Sequence, residues 1–272
     1  MTAKGSVTWL VAFWLATPEC VAAGQTPGDT TSVFPGDTVV DPERLVPHRV
    51  TWRVTRRDPD GGSTVQGLWT DTWVRSSDGG QPVFVFRQLF VDTIGAVLQD
   101  NETVFEAATF RAVRSTQHLP PSGAQVVYRY AGDTASGTLH PSAGAEARTF
   151  QVVFTEPVWD PLLPVSMLLP LERLESGAVL RYPIWNQAGP GADVTWRVAR
   201  VDSVGTVVQG DERTTAAWHL TVTVTAAPNT VTRVRQIPGP PYFPWFVVER
   251  PGQTREWTLV DWEPYARSAR LP

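Results

Sequence analysis

Trp69, Asp71 and Trp73 occupy alternate positions of one short segment, so a strand would set a carboxyl between two indoles on a single face. If that face looks into a cavity, Asp71 must ionise beside a cation such as Arg87 or Arg233, because burying a lone carboxylate is too costly. The alternative is an exposed edge strand with the tryptophans lying flat on the surface. A second constellation is Pro238-Gly239-Pro240-Pro241-Tyr242-Phe243-Pro244-Trp245-Phe246, where rigid prolines hold aromatics at low entropic cost. That strip suits a lid, a docking surface for a partner, or a long hairpin loop plugging one end of a sheet.

Other chemistries find little support in the spacing. His48, His118, His140 and His219 stand far apart, without the i, i+4 pair of zinc hydrolases, so no metal is expected. His219 alternates with Trp218 and Leu220 and is expected to point to solvent beside Thr221. No G-x-S-x-G elbow, P-loop, dinucleotide glycine pattern or S-x-x-K box stands where it could act, and Gly189-Pro190-Gly191 reads as a turn. Asp58 and Asp60 resemble the start of a calcium loop, but Trp69 takes the place of the closing glutamate. A carboxylate pair assembled by folding would leave no sequence trace. The reading is therefore noncatalytic, with no cofactor.

The elements that must position these residues are strands. Val50, Trp52 and Val54 alternate with polar neighbours over His48 to Thr55, Asp58 to Gly62 forms a turn, and Gly67 to Val74 returns as a hairpin. Pro82 to Asp92 is apolar on both faces and reads as a central strand covered twice. Further strands are expected at 125–131, 147–155, 178–185, 193–201, 216–225, 230–237, 245–249 and 255–262, with 103–115 taken as one more. One short helix follows Asp160, with Pro161 in its first turn, Leu162, Val165 and Leu169 on one face, and Pro164 and Pro170 limiting it. The pentapeptide Val50-Thr51-Trp52-Arg53-Val54 recurs at Val194 to Val198, but its surroundings differ, so we read two similar strands rather than a duplication. Without βαβ alternation, the fold class is mainly β: a single strongly curved antiparallel sheet or half-barrel with one short helix.

Composition bounds the rest. Lys4, the apolar run Val7 to Ala16 and the small residues Val21-Ala22-Ala23 read as an export signal over 1–24, which places the protein in the periplasm or outside the cell. The single cysteine, Cys20, lies within it, and Thr17-Pro18-Glu19 lacks the Leu-small-small pattern of lipoprotein processing. Stability must then come from packing rather than disulfides. The run is too short to span a membrane. A formal charge of −4 supplies no basic excess for nucleic acid. Residues 25–45, rich in Pro, Gly, Thr and Asp, are expected as a flexible leader, 46–266 as one antiparallel β domain and 267–272 as a tail. Twelve tryptophans are enough to build a core and also a binding wall.

The order of Asp37-Thr38-Val39-Val40-Asp41, Trp159-Asp160-Pro161-Leu162, Leu169-Pro170-Leu171 before Gly177, the Val194 to Val198 strand, Trp218, Trp245 and Arg255 to Leu259 resembles a family of exported bacterial proteins of unknown function, related in fold to the outer-membrane lipoprotein carriers. The resemblance implies a half-open, coiled sheet able to hold an apolar ligand on its concave side, and implies no catalytic residues. The expected function is uptake of an apolar or lipid-like molecule, with Trp69, Trp73, Trp196, Trp218, Phe243 and Trp245 as wall and Asp71 and Arg87 as polar anchors. The alternative is an envelope scaffold binding a protein partner through a sheet edge or the Pro238 to Phe246 strip.

Overall fold

The computed structural model describes residues 30–163, 165–169, 174–185, 194–209 and 213–265. The export signal with Cys20, the first residues of the leader, the Gly189 to Gly191 turn and the tail 267–272 lie outside the described residues. The first half of the chain carries β1 (Thr30–Ser32), β2 (His48–Arg57), β3 (Ser63–Asp78), β4 (Gln81–Asp92), β5 (Val97–Glu106), β6 (Ala112–Leu119), β7 (Ala124–Ala131), β8 (Thr134–His140) and β9 (Arg148–Val153). The second half carries β10 (Val179–Trp185), β11 (Val194–Gln209), β12 (Arg213–Val224), β13 (Val231–Gln236), β14 (Trp245–Arg250) and β15 (Gln253–Pro264).

These strands form one open sheet in the order β1-β10-β11-β12-β13-β14-β15-β2-β3-β4-β5-β6-β7-β8-β9. It consists of two antiparallel meanders, β2 to β9 and β10 to β15, joined where β15 pairs with β2. Among the described strands, β1 alone runs parallel to its neighbour, β10. The turn at Asp58 to Gly62 is the expected one: Gly61 has φ +89 and the Asp58 and Gly62 backbones bond across 2.8 Å. On β4, Phe84, Phe86 and Phe90 face inward, while Val83 and Val85 pack with Val74 and Val104 on the other face.

Three expectations need correction, and one strand was not expected. Residues 103–115 are not one strand: β5 ends at Glu106, a tight turn follows, and β6 starts at Ala112, with Phe110 at φ +56 reversing the chain. The segment β8 was not foreseen, because Ser136 and Gly137 dilute its apolar alternation. The helix after Asp160 shrinks to a 3-10 turn at Val165–Leu168, although Asp160 does accept from the Leu162 N–H as a cap would. From Thr30 onward the leader is packed rather than flexible, with Val33, Val40 and Leu45 inside the main core.

That packed leader explains the state of the concave side. The crossover from β9 to β10 contributes Trp159, Leu163, Met167, Leu168 and Leu169 to the same core, and the Pro238 to Phe246 loop contributes Tyr242. These non-strand segments meet Trp73, Phe84, Phe86 and Phe105 from one meander and Leu180, Tyr182, Ile184 and Leu220 from the other. The curved sheet is filled by its own connections.

Candidate functional site

Cross-strand partners share a face, so the register locates each expected site residue. Trp69, Asp71 and Trp73 lie opposite Phe90, Gln88 and Phe86 of β4, all on the inner face. Trp73 is 1% exposed and stacked on Phe86 at 4.1 Å, so it is core rather than wall. Trp218 is likewise buried, its indole N–H donating to the Leu174 carbonyl at 3.3 Å. Phe243 joins two core clusters, and its carbonyl accepts from Trp52 at 2.8 Å. The aromatic strip is a plug.

Arg87, Trp196 and Trp245 fall on the opposite face. Arg87 lies opposite Thr72 and pairs with Asp100 at 2.7 Å, and that carboxylate holds its guanidinium pKa above the usual value. Trp196 packs under Arg181 at 3.9 Å and against Phe34, and Trp245 donates to Glu256 at 2.8 Å. The expected wall is thus divided between two faces of the sheet. Arg233 pairs with Glu249 at 3.2 Å, so neither cation foreseen for Asp71 serves it.

Asp71 resolves its burial by another route. It accepts from the Trp69 indole at 2.7 Å and bonds Gln88, and desolvation raises its pKa from 3.8 to about 7. It begins a polar row missed by sequence reasoning. Gln88 lies opposite Asn101, Asn101 opposite Gln117, and Gln117 donates to the Tyr128 hydroxyl at 3.3 Å. Tyr128 donates to Asp160 at 2.8 Å, Tyr130 at 3.3 Å, and burial raises that carboxyl to about 6. Thr103 and Ser115, bonded at 2.8 Å, run alongside. The available signal was a run of polar residues, Gln99, Asn101 and Thr103, at the inward parity of β5. Two carboxyls with raised pKa values thus stand at opposite ends of a row crossing β3 to β7.

Of the recesses on the described surface, one beside Tyr130, Phe154, Pro157 and Val158 has a volume of about 40 Å³ and another, beside Val248 and Trp257, about 10 Å³. A water needs roughly 10–15 Å³ on this measure, so these two are of the size of a few waters and too small for an acyl chain.

The ends of the sheet differ. On the β10 side, β1 covers Val179 to Arg181, and Trp159 bridges to Ile184. On the other side β9 is paired along β8 alone among the described residues. Phe150 and Val152 hold it against Tyr128, Phe154 and Trp185, while Thr149, Gln151 and Val153 face out, Val153 at 70% exposure.

No protein-family model and no curated protein matches the chain. Among solved structures, a β-barrel-like protein of the domain of unknown function DUF1849 from Brucella abortus is 13% identical at a TM-score of 0.52, covering 82% of this chain and 99% of that one. A Bacteroides fragilis protein with a YmcC-like fold aligns at a TM-score of 0.31 and 9% identity, over 85% and 98% of the two chains. The first likeness shows the fold and does not single out the lipoprotein carriers: this chain folds as an open, mainly β, barrel-like sheet.

Proposed function

We propose that this is a noncatalytic, exported envelope scaffold that takes up an extended segment of a partner protein as an added strand along β9. The observation that carries this reading is the undefended edge. Natural sheets blunt their edges with proline, lysine, bulges or covering loops. Arg148-Thr149-Phe150-Gln151-Val152-Val153 has one terminal arginine and none of the other devices, and no strand pairs with its outer side among the described residues. Its inner side chains are locked into a core cluster, so the edge is held straight before any partner arrives, which lowers the ordering cost of strand addition. The filled concave side favours this reading over uptake of an apolar small molecule. Export rests on the Lys4, Val7 to Ala16 and Val21 to Ala23 pattern.

The test is a photo-activated cross-linking residue at Thr149 or Gln151 in the producing cell. We expect an adduct mapping to one extended peptide of an envelope protein, lost when Val153→Lys places a charge on the edge. Equal adducts from an outer-face position such as Arg87, or no adduct at β9, would overturn the proposal.

A further inference from the structure

The hydrogen-bond phase of β9 constrains what a strand added to it must look like. The Phe154 N–H donates to the Asp133 carbonyl at 2.7 Å. Antiparallel partners exchange bonds at every second residue, so Val152, Phe150 and Arg148 turn their backbone groups toward Ala135, Gly137 and Leu139, and those of Thr149, Gln151 and Val153 point to the open side. No strand occupies that side among the described residues. An incoming strand therefore hydrogen-bonds at Thr149, Gln151 and Val153. Its side chains come closest where it lies opposite Phe150 and Val152, at about 4.5 Å between Cα atoms.

The two faces beside those positions differ in chemistry. Phe150 and Val152 are half-buried on the inner face beside Tyr128, Phe154 and Trp185, so residues opposite them meet apolar surface. Thr149 and Gln151 lie opposite Thr138 and Ser136, an outer surface of hydroxyls and an amide that suits small polar neighbours. Arg148 is exposed and shares the parity of Phe150 and Val152, and its cross-strand neighbour is Leu139, so β8 sets no acid opposite it. Opposite charges placed directly across a sheet stabilise the pair.

We infer that the segment recruited by β9 is an amphipathic strand reading, from its N-terminus, apolar, small polar, apolar, small polar, acidic. It lies antiparallel to β9, with its apolar residues opposite Val152 and Phe150 and its carboxylate opposite Arg148. This partner class rests on strand addition along β9 and narrows it to segments that alternate and end on an acid. Antiparallel addition is the more stable pairing per residue and continues the meander. A second copy of β9 fits less well, because Arg148-Thr149-Phe150-Gln151-Val152-Val153 contains no acidic residue to set opposite Arg148.

The experiment titrates the full chain with the peptide Ser-Val-Thr-Val-Thr-Glu-Ser, capped at both ends, and follows amide hydrogen exchange residue by residue. Saturable binding that slows exchange at Thr149, Gln151 and Val153 is expected, because those amides gain partners. The same peptide with lysine in place of glutamate should bind about fivefold more weakly, as like charges replace an ion pair, and Arg148→Glu should reverse the preference. The permuted peptide Ser-Thr-Val-Val-Thr-Glu-Ser should protect those amides less. Equal protection by all these peptides overturns the partner class and leaves strand addition along β9 standing. Concentration-dependent protection of the same amides without peptide assigns the edge to a second copy and also overturns it. Absence of protection with every peptide removes strand addition along β9 itself.

Discussion

The indole N–H of Trp159 donates to the backbone carbonyl of Val33 across 3.0 Å, although 126 residues separate them. This bond fastens the N-terminal segment to the crossover. Trp159→Phe keeps the ring and removes the donor, leaving a buried carbonyl unsatisfied. The expected cost is about 1–3 kcal/mol, read by urea unfolding, with amide exchange rising first at Val33, whose own N–H bonds Arg181. Unchanged exchange there would contradict the fastening role.

Asp71 governs pH dependence. Its folded pKa of about 7 lies above the ordinary 3.8, so the folded state holds this proton more tightly than the unfolded chain does. The associated stability is complete below pH 3.8 and is lost as pH rises through about 7. Asp160 acts in the same sense up to about 6, a loss of roughly 3 kcal/mol at 1.36 kcal/mol per pH unit. His48, pushed down to about 4 by burial, opposes them as pH falls below 6.5. Asp71→Asn mimics the protonated acid while sparing the other two groups. It should therefore gain stability relative to the parent between pH 5 and pH 8, and an equal difference at both pH values in urea melts would refute this.

Trp73→Ala separates a filled interior from an open one. A tryptophan stacked on Phe86 and Phe105 and sealed from solvent should cost about 3–5 kcal/mol on truncation. A loss below about 1 kcal/mol, the range of unspecialised surface positions, would indicate a wall facing solvent.

Gly67→Ala tests the bulge between β2 and β3. At φ +150, an added Cβ would lie 2.0 Å from the Val91 carbonyl oxygen, so the backbone of β4 must move. A drop in unfolding free energy of about 3 kcal/mol is expected, within the range of the large effects that backbone strain produces. Gly61→Ala, with open space around it, should cost about 1 kcal/mol. Matching losses in the two variants would argue against the close approach.

Much of the strand content was legible because period-two alternation is local, as in Val50, Trp52 and Val54, and because Asp58 to Gly62 presets a turn. The inward parity of Trp69, Asp71 and Trp73 was legible for the same reason. What covers those residues was not, since it depends on which distant segments fill the hollow: Val33, Val40 and Leu45 are too sparse in a polar stretch to announce core positions. Arg87 was misassigned because sequence gives parity within a strand but not the register between strands, and register places it beside Asp100. The row from Gln88 to Gln117 exists only through that register.

The pairing of β2 with β15 matches Arg57 to Thr254 and His48 to Pro264. It is the seam that unites the two meanders, and it has one of the longest loops to close, so its entropy must be met before its hydrogen bonds repay it. Each meander can assemble from near neighbours as the chain is made, but the seam waits for residue 264. Folding should thus end in a late docking step, and a chain stalled before β15 would expose β2 as a second ready template for aggregation.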